Sequence, residues 1–242
     1  MTPFVLAGAC FAQAQVPPSP APRKPNFITQ DQLNPTLILP APPADHTPEG
    51  DAELAEVHRL QDTRTAADIA HARADDAQED MFIFQKILGP NFDPQALPNT
   101  ALFSAHLHSD EGVIGNVAKN YFKKIRPFNF DATVKPVCKT KDNRDDYGYP
   151  SGHSLTGYLE ALALIQIVPE KRNAILARAD DYAHSRVVCG VHYPSDVLAS
   201  KLTAYAMMSI MMNNPQFQKE LQAAREETRK ALGLSGVPTQ PE

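Results

Sequence analysis

The stretch "YPSGHSLTGYLEALALIQIV", residues 149–168, joins a Pro-Ser-Gly turn to a long apolar run. Leu, Ala and Ile at this density after a turn predict a buried helix over 153–168, starting near His153. Gly152 lets the backbone approach a ligand closely. The first N–H groups of the helix lack intrahelical partners, and its positive dipole end points outward, so an anion fits there. Ser151 adds a hydroxyl. Read alone, the stretch is equally a helix-start turn that ends in a solvent histidine. Its meaning depends on what the rest of the chain supplies.

Working outward, helical patterns recur at 99–125, 170–185, 194–212 and 215–232. Asn214 can cap the last of these, with Pro215 in its first turn. Upstream, the chain turns helical from Asp51. Ala77, Met81, Phe84 and Leu88 fall at helical spacing and predict one buried face. Residues 49–80 hold ten acids and three arginines, which reads as a solvated acidic face, and Gly89-Pro90 ends the section. Residues 128–150 look irregular, and no convincing strand or internal repeat is present. The expected fold is all-α, a single-domain helical bundle over 49–232. A Pro-rich N-terminal arm, 15–48, precedes it, with Leu37–Leu39 able to pack as a strap, and a disordered tail, 233–242, follows.

The 242 residues carry a net charge of −5, which argues against a general nucleic-acid binder. "MTPFVLAGACFAQAQ" resembles a secretory signal over 1–14, with Ala12-Gln13-Ala14 as a small-x-small cleavage site, although no Lys or Arg precedes the apolar run. Cys10 sits in a poor lipobox. Removal of that segment leaves Cys138 and Cys189, an even pair that reads as a disulfide in an exported protein; two free buried thiols are the alternative. No apolar run reaches the ~18–20 residues that span a bilayer. Leu202–Met212 is too short.

Three segments carry chemistry. In "KNYFKKIRP", Lys119 and Arg126 are two helical turns apart and so share a face, with Lys123 near the same stripe. Alone this is a basic surface stripe. The second segment is Pro150-Ser151-Gly152-His153. In the third, "SRVVCGVHYPSD", Arg186 ends a helix, His192 follows in a loop, and Asp196 lies four residues on, where its carboxylate can reach an imidazole nitrogen and fix the tautomer. Together they supply three cations, a neutral backbone donor, two histidines and a carboxylate. Phosphoryl transfer needs charge stabilised on the phosphoryl oxygens, an in-line nucleophile and a proton for the leaving oxygen. Arginine forks suit phosphate. Three cations would oppose a divalent metal held by His153, His192 and Asp196, and they have no evident task in a serine hydrolase using Ser151 or Ser185.

At these residues the chain resembles the phosphatidic-acid phosphatase and vanadium haloperoxidase superfamily, through Lys-x6-Arg-Pro, Pro-Ser-Gly-His and Ser-Arg-x5-His-x3-Asp. Lys119, Arg126-Pro127, Pro150–His153, Ser185-Arg186, His192 and Asp196 match without a gap. Within it the chain is similar to the bacterial class A non-specific acid phosphatases over about residues 35–232. "GYPSGHS" keeps Tyr149, lacks the preceding Ser and has Ser154 where Thr is usual. The resemblance implies that His192 is the nucleophile and forms a phosphohistidine, that Asp196 orients it, and that His153 is the general acid and then the base. It implies that Lys119, Arg126, Ser151, Arg186 and the Gly152 N–H hold the phosphoryl oxygens.

No metal and no cofactor are expected. A Cys138–Cys189 disulfide would tie the irregular segment to the nucleophile loop. The expected activity is that of an exported, periplasmic or secreted acid phosphatase acting on small phosphomonoesters (nucleotides, aryl or sugar phosphates). It would have no membrane span and would form a homodimer or larger homo-oligomer. A vanadate-dependent haloperoxidase and a non-catalytic phospholigand-binding module are the alternatives. Outside the motifs, His106, His108 and Glu111 could line the pocket mouth, or be ordinary helix-surface polars. His184 reads as structural.

Overall fold

The computed structural model describes residues 24–141 and 146–236. The signal-like residues 1–14, the start of the arm and residues 237–242 of the tail lie outside the described residues. The described residues form nine α-helical segments in order: α1 Pro48–Thr63, α2 Ala66–Asp76, α3 Gln85–Leu88, α4 Pro98–Phe122, α5 Pro127–Phe130, α6 Gly152–Ile167, α7 Arg172–Val188, α8 Pro194–Met211 and α9 Pro215–Ala231. Among the described residues there is no strand, and no helix is long and apolar enough to cross a membrane.

The apolar run after the Pro-Ser-Gly turn explains the architecture. In α6, Leu155, Leu159, Ala161, Ala163, Leu164 and Ile167 are all buried, on every side of the helix. Such a helix can only be the centre of a bundle, and α4, α7, α8 and α9 pack around it. Gly157 brings α6 and α7 together, because a Cβ there would lie 2.6 Å from the Tyr182 ring. The expected helices at 153–168, 194–212 and 215–232 are found to within a residue at each end, and Asn214 caps α9 by accepting from the Gln216 and Phe217 N–H groups.

Three expectations are corrected. The acidic section is not one amphipathic run. Thr65 and Asp68 form a capping box that starts α2 afresh. Met81 and Phe84 reach the core from a 3-10 turn over Met81–Phe84, while Leu88 stays only partly buried and Ala77 is exposed. Its charged face is not wholly solvated either: Asp75 is 3% exposed and bonded to Arg178 and to the Ser185 hydroxyl at 2.7 Å. Lys119 and Arg126 do not share a helix face. The helix α4 ends at Phe122, where Lys123 takes a left-handed conformation with φ 50°, and Lys123 itself is exposed.

The arm is more than a leader. Phe27 and Ile28 are in the main core, with Phe27 against Phe103 and Phe217. The buried Asp110 carboxylate accepts from the Asn26 and Phe27 N–H groups at 2.6 and 2.7 Å. Of the strap, Leu39 is buried while Leu37 and Ile38 are exposed.

Cys138 and Cys189 are joined as a disulfide with a Cα separation of 5.3 Å, and the Val137 N–H donates to the Cys189 carbonyl at 3.0 Å. The bond closes a span of 51 residues that includes the irregular segment and α6. Replacing both cysteines with serine is expected to lower unfolding stability by about 2–4 kcal/mol, the range for closing a long loop, as measured by denaturant melts. An unchanged midpoint would show that the packed helices hold this loop unaided.

Candidate active site

A cavity of about 860 Å³ opens where the N-terminus of α6, the C-terminal ends of α2, α4 and α7, and the loop before α8 converge. Lys119, Arg126, Gly152, His153, Arg186 and His192 line it. Residues predicted from three segments of sequence therefore face one space. Ser151 and Asp196 sit behind the wall, both fully buried.

His192 is 1% exposed, and each ring nitrogen has a partner. Nδ1 is 2.9 Å from Asp196 Oδ2, and Nε2 is 2.7 Å from an Arg126 guanidinium nitrogen. Arginine can only donate, so Nε2 accepts and the single proton sits on Nδ1, donated to Asp196. The lone pair thus lies on Nε2, beside the cations. Burial, and then Arg126 and Arg186, push the imidazole well below the ordinary histidine range, so it is neutral. Asp196 also accepts from the Tyr193 N–H at 3.0 Å. The same carboxylate thus caps α8 and orients His192. Burial pushes the Asp196 carboxyl up to about 7, although the Tyr193 N–H and Arg126 pull it down. Gly148 makes room for it, since a Cβ there would stand 2.8 Å from Asp196 Oδ2.

Ser151 is the N-cap of α6. Its hydroxyl accepts from the Ser154 N–H and the Ser154 hydroxyl, and its N–H donates to the Asp196 carbonyl. Gly152 and His153 are the first two residues of the helix, where backbone N–H groups have no intrahelical acceptor. His153 Nε2 is 3.3 Å from the Asp76 carbonyl and 3.2 Å from Glu79 Oε1. Both are acceptors, so Nε2 carries a proton. Burial, followed by Arg186, lowers the His153 pKa to about 3, against the opposing pull of Asp76.

Carboxylates in this site escaped the sequence reading. Asp76 accepts from Arg186 at 2.7 Å and from the Lys139 N–H at 3.0 Å. Asp146 accepts from Arg126, with Nε 3.0 Å from Oδ2. Glu79 also lines the cavity, as does Glu111, one of three residues suggested for its mouth. The other two do not line it: His106 pairs with Glu220 at 2.8 Å, and His108 Nδ1 meets the Glu79 carbonyl. His184 is exposed. The acids were hard to find because each lies in an ordinary acidic or irregular stretch with no motif. The only signal was that three cations converging in a desolvated place require counter-charge.

Known proteins are similar to this chain in sequence. A curated non-specific acid phosphatase of Providencia stuartii is 40% identical over 116 residues, which is 47% of this chain and 46% of that protein. An acid phosphatase of Zymomonas mobilis is 36% identical over 155 residues, 62% of this chain and 57% of that one. These two alignments span about half the length of either relative. A non-specific acid phosphatase of Salmonella typhi aligns more fully, 28% identical over 234 residues, 93% of this chain and 92% of that protein. The PAP2 superfamily model matches residues 101–220, a span that runs from α4 into α9 and holds every residue of the histidine cradle from Lys119 to Asp196; the chain belongs to the PAP2 superfamily.

Proposed function

We propose that this protein is an acid phosphatase that hydrolyses small phosphomonoesters through a phosphohistidine on His192, with no metal. The observation that supports it most is the His192 tautomer: a neutral imidazole whose Nδ1 proton is held by Asp196 and whose Nε2 lone pair lies among three cations. A simple anion-binding histidine has no need of that carboxylate, and the cations around the Nε2 lone pair oppose a divalent metal there.

In the proposed reaction a phosphate ester enters with its phosphoryl oxygens toward Lys119, Arg126, Arg186 and the Gly152 N–H. Arg126 moves its donation from Nε2 to a phosphoryl oxygen, which frees the lone pair. Nε2 then attacks phosphorus as the bond to the leaving oxygen breaks. Asp196 stabilises the positive charge that develops on the ring. His153 gives its proton to the departing alkoxide, then accepts one from the water that attacks the phosphohistidine; the P–N bond breaks and phosphate leaves. Ser151 acts by capping α6 and so setting Gly152 and His153 at the cavity. The cavity is large enough to take leaving groups of many shapes, which fits broad specificity, and the disulfide fits a periplasmic or secreted protein.

The activity is expected as phosphate release from an aryl phosphate in the presence of a chelator, and His192→Ala should reduce it by roughly 10⁴-fold or more. Loss of activity in the chelator with recovery on adding Zn²⁺ would overturn the metal-free reading.

His153→Ala is expected to slow alkyl phosphates by about 10²–10⁴-fold while leaving aryl phosphates, whose leaving groups need little protonation, much less affected. Equal losses on both would remove the general-acid role.

The pH dependence follows from the His153 value of about 3. At pH 5 the free imidazole is neutral, because the charged form is present only below that value. A bound anion beside Arg186 and Lys119 offsets their repulsion and raises it. Binding therefore takes up a proton, and affinity falls as pH rises through the bound-state pKa. NMR titration of the His153 ring, free and with vanadate, is expected to show a rise of at least about 2 units; an unmoved titration contradicts the assignment.

A further inference from the structure

Asp76, Asp146 and Glu79 each pair with a guanidinium or a histidine at the cavity wall, whereas Glu111 stands beside Gly152 and Lys119, where the anion is proposed to go. It is 4% exposed and lies two helical turns before Lys119 on α4, so 111, 115 and 119 share a face. A Cβ built on Gly152 would stand 3.2 Å from Glu111 Oε1 and 3.2 Å from Lys119 Nζ. A Cβ on Gly115 would stand 3.1 Å from the same Oε1. Two glycines from different helices thus leave room for one carboxylate oxygen. That oxygen rests against the first residue of α6, beside the ammonium of the half-buried Lys119.

The other charged groups of the cavity come from every wall: Asp76 at the end of α2 and Glu79 just after it, His153 on α6, Arg186 on α7, and Arg126, Lys139, Lys141 and Asp146 with His192 on the loops. Asp76 and Asp146 are bonded to Arg186 and Arg126, which already offsets those acids. Glu111 offsets the burial that lowers the Lys119 pKa and helps keep that lysine charged. The same placement sets a negative charge a few ångströms from any phosphoryl oxygen that Lys119 and Gly152 hold.

We propose that Glu111 is the charge-selecting residue of the cradle: its carboxylate lies beside the seat that Lys119 and Gly152 form, so the site disfavours a dianionic phosphoryl group and admits the monoanion. The proposal rests on the reading of the cavity as a phosphoryl site, but not on turnover there. Repulsion scales with ligand charge, so a dianion meets about twice the opposition of a monoanion. Selection of the monoanion is one physical route to an enzyme that works best in acid and sheds its product readily at neutral pH.

The test is calorimetric binding of inorganic phosphate and of sulfate to wild type, Glu111→Gln and Glu111→Asp at pH 5 and pH 7.5. Sulfate stays dianionic throughout, whereas phosphate gains its second charge between these values. Glu111→Gln is expected to bind sulfate about tenfold more tightly than wild type at both pH values. For phosphate the gain should be about threefold at pH 5 and about tenfold at pH 7.5. Glu111→Asp, which keeps the charge but withdraws it by one methylene, should fall between and serves if the glutamine variant does not fold. An equal phosphate gain at both pH values, or weaker binding by the glutamine variant, would overturn the proposal; the second result would assign Glu111 only to keeping Lys119 charged. Wild type that binds phosphate but releases none from an aryl phosphate would instead refute the phosphatase reading and leave this inference standing.

Discussion

The site depends on one buried hydrogen bond, from His192 Nδ1 to Asp196 Oδ2. In water an imidazole exchanges tautomers freely, and its lone pair has no fixed position. Buried against a carboxylate that accepts only, it has one arrangement, and the lone pair must face the other way. The same carboxylate accepts the Tyr193 N–H at the start of α8, so the ring's orientation is tied to the start of a core helix. Ser151 reaches the same turn, donating its N–H to the Asp196 carbonyl. The two histidine-bearing segments are therefore joined through the Asp196 residue as well as by core packing.

Around that bond, charge is balanced side by side. Arg186 has Asp76 and Arg126 has Asp146, while Glu79 faces His153. Bringing several cations out of water without partners would be prohibitive, and binding them too firmly would leave nothing for a ligand. One acid for each guanidinium resolves this: an arginine fork has five N–H donors, so it keeps further donors while the acid holds it in place. Behind Arg186 a second set repeats the logic, with the buried Asp75 accepting from Arg178 and Ser185. Successive residues of one acidic helix end thus serve the cradle from two directions.

How legible this was differs by feature. The central helix α6 was readable because an apolar run of that length, opened by a turn and interrupted by few polar residues, has only one low-energy place in a soluble bundle. The motif residues were readable because their chemistry and spacing are unusual together. The break at Arg64-Thr65 was less visible, since Ala-rich acidic sequence favours helix on both sides and only the Thr65–Asp68 capping box marks the restart. The end of α4 at Phe122 was hidden for a similar reason. In "KNYFKKIRP" no breaker precedes Pro127 to mark a stop at Phe122, and tertiary contacts of Lys124 with Pro43 and Asp45 hold the chain out of the helix there.

By itself, the sequence determined an all-helical chain, a buried central helix beginning at an anion-suited turn, a cysteine pair, and a set of cations and histidines suited to a phosphoryl group. These follow from local composition and short spacing, which act within a few residues. The tertiary structure alone decided which acids stand beside which cations, which nitrogen of His192 keeps its proton, and that Glu111 rests against Gly152. Those depend on pairs separated by tens of residues, and no local propensity encodes the distance between them. Their energetics come from desolvation, which exists only once the bundle has closed.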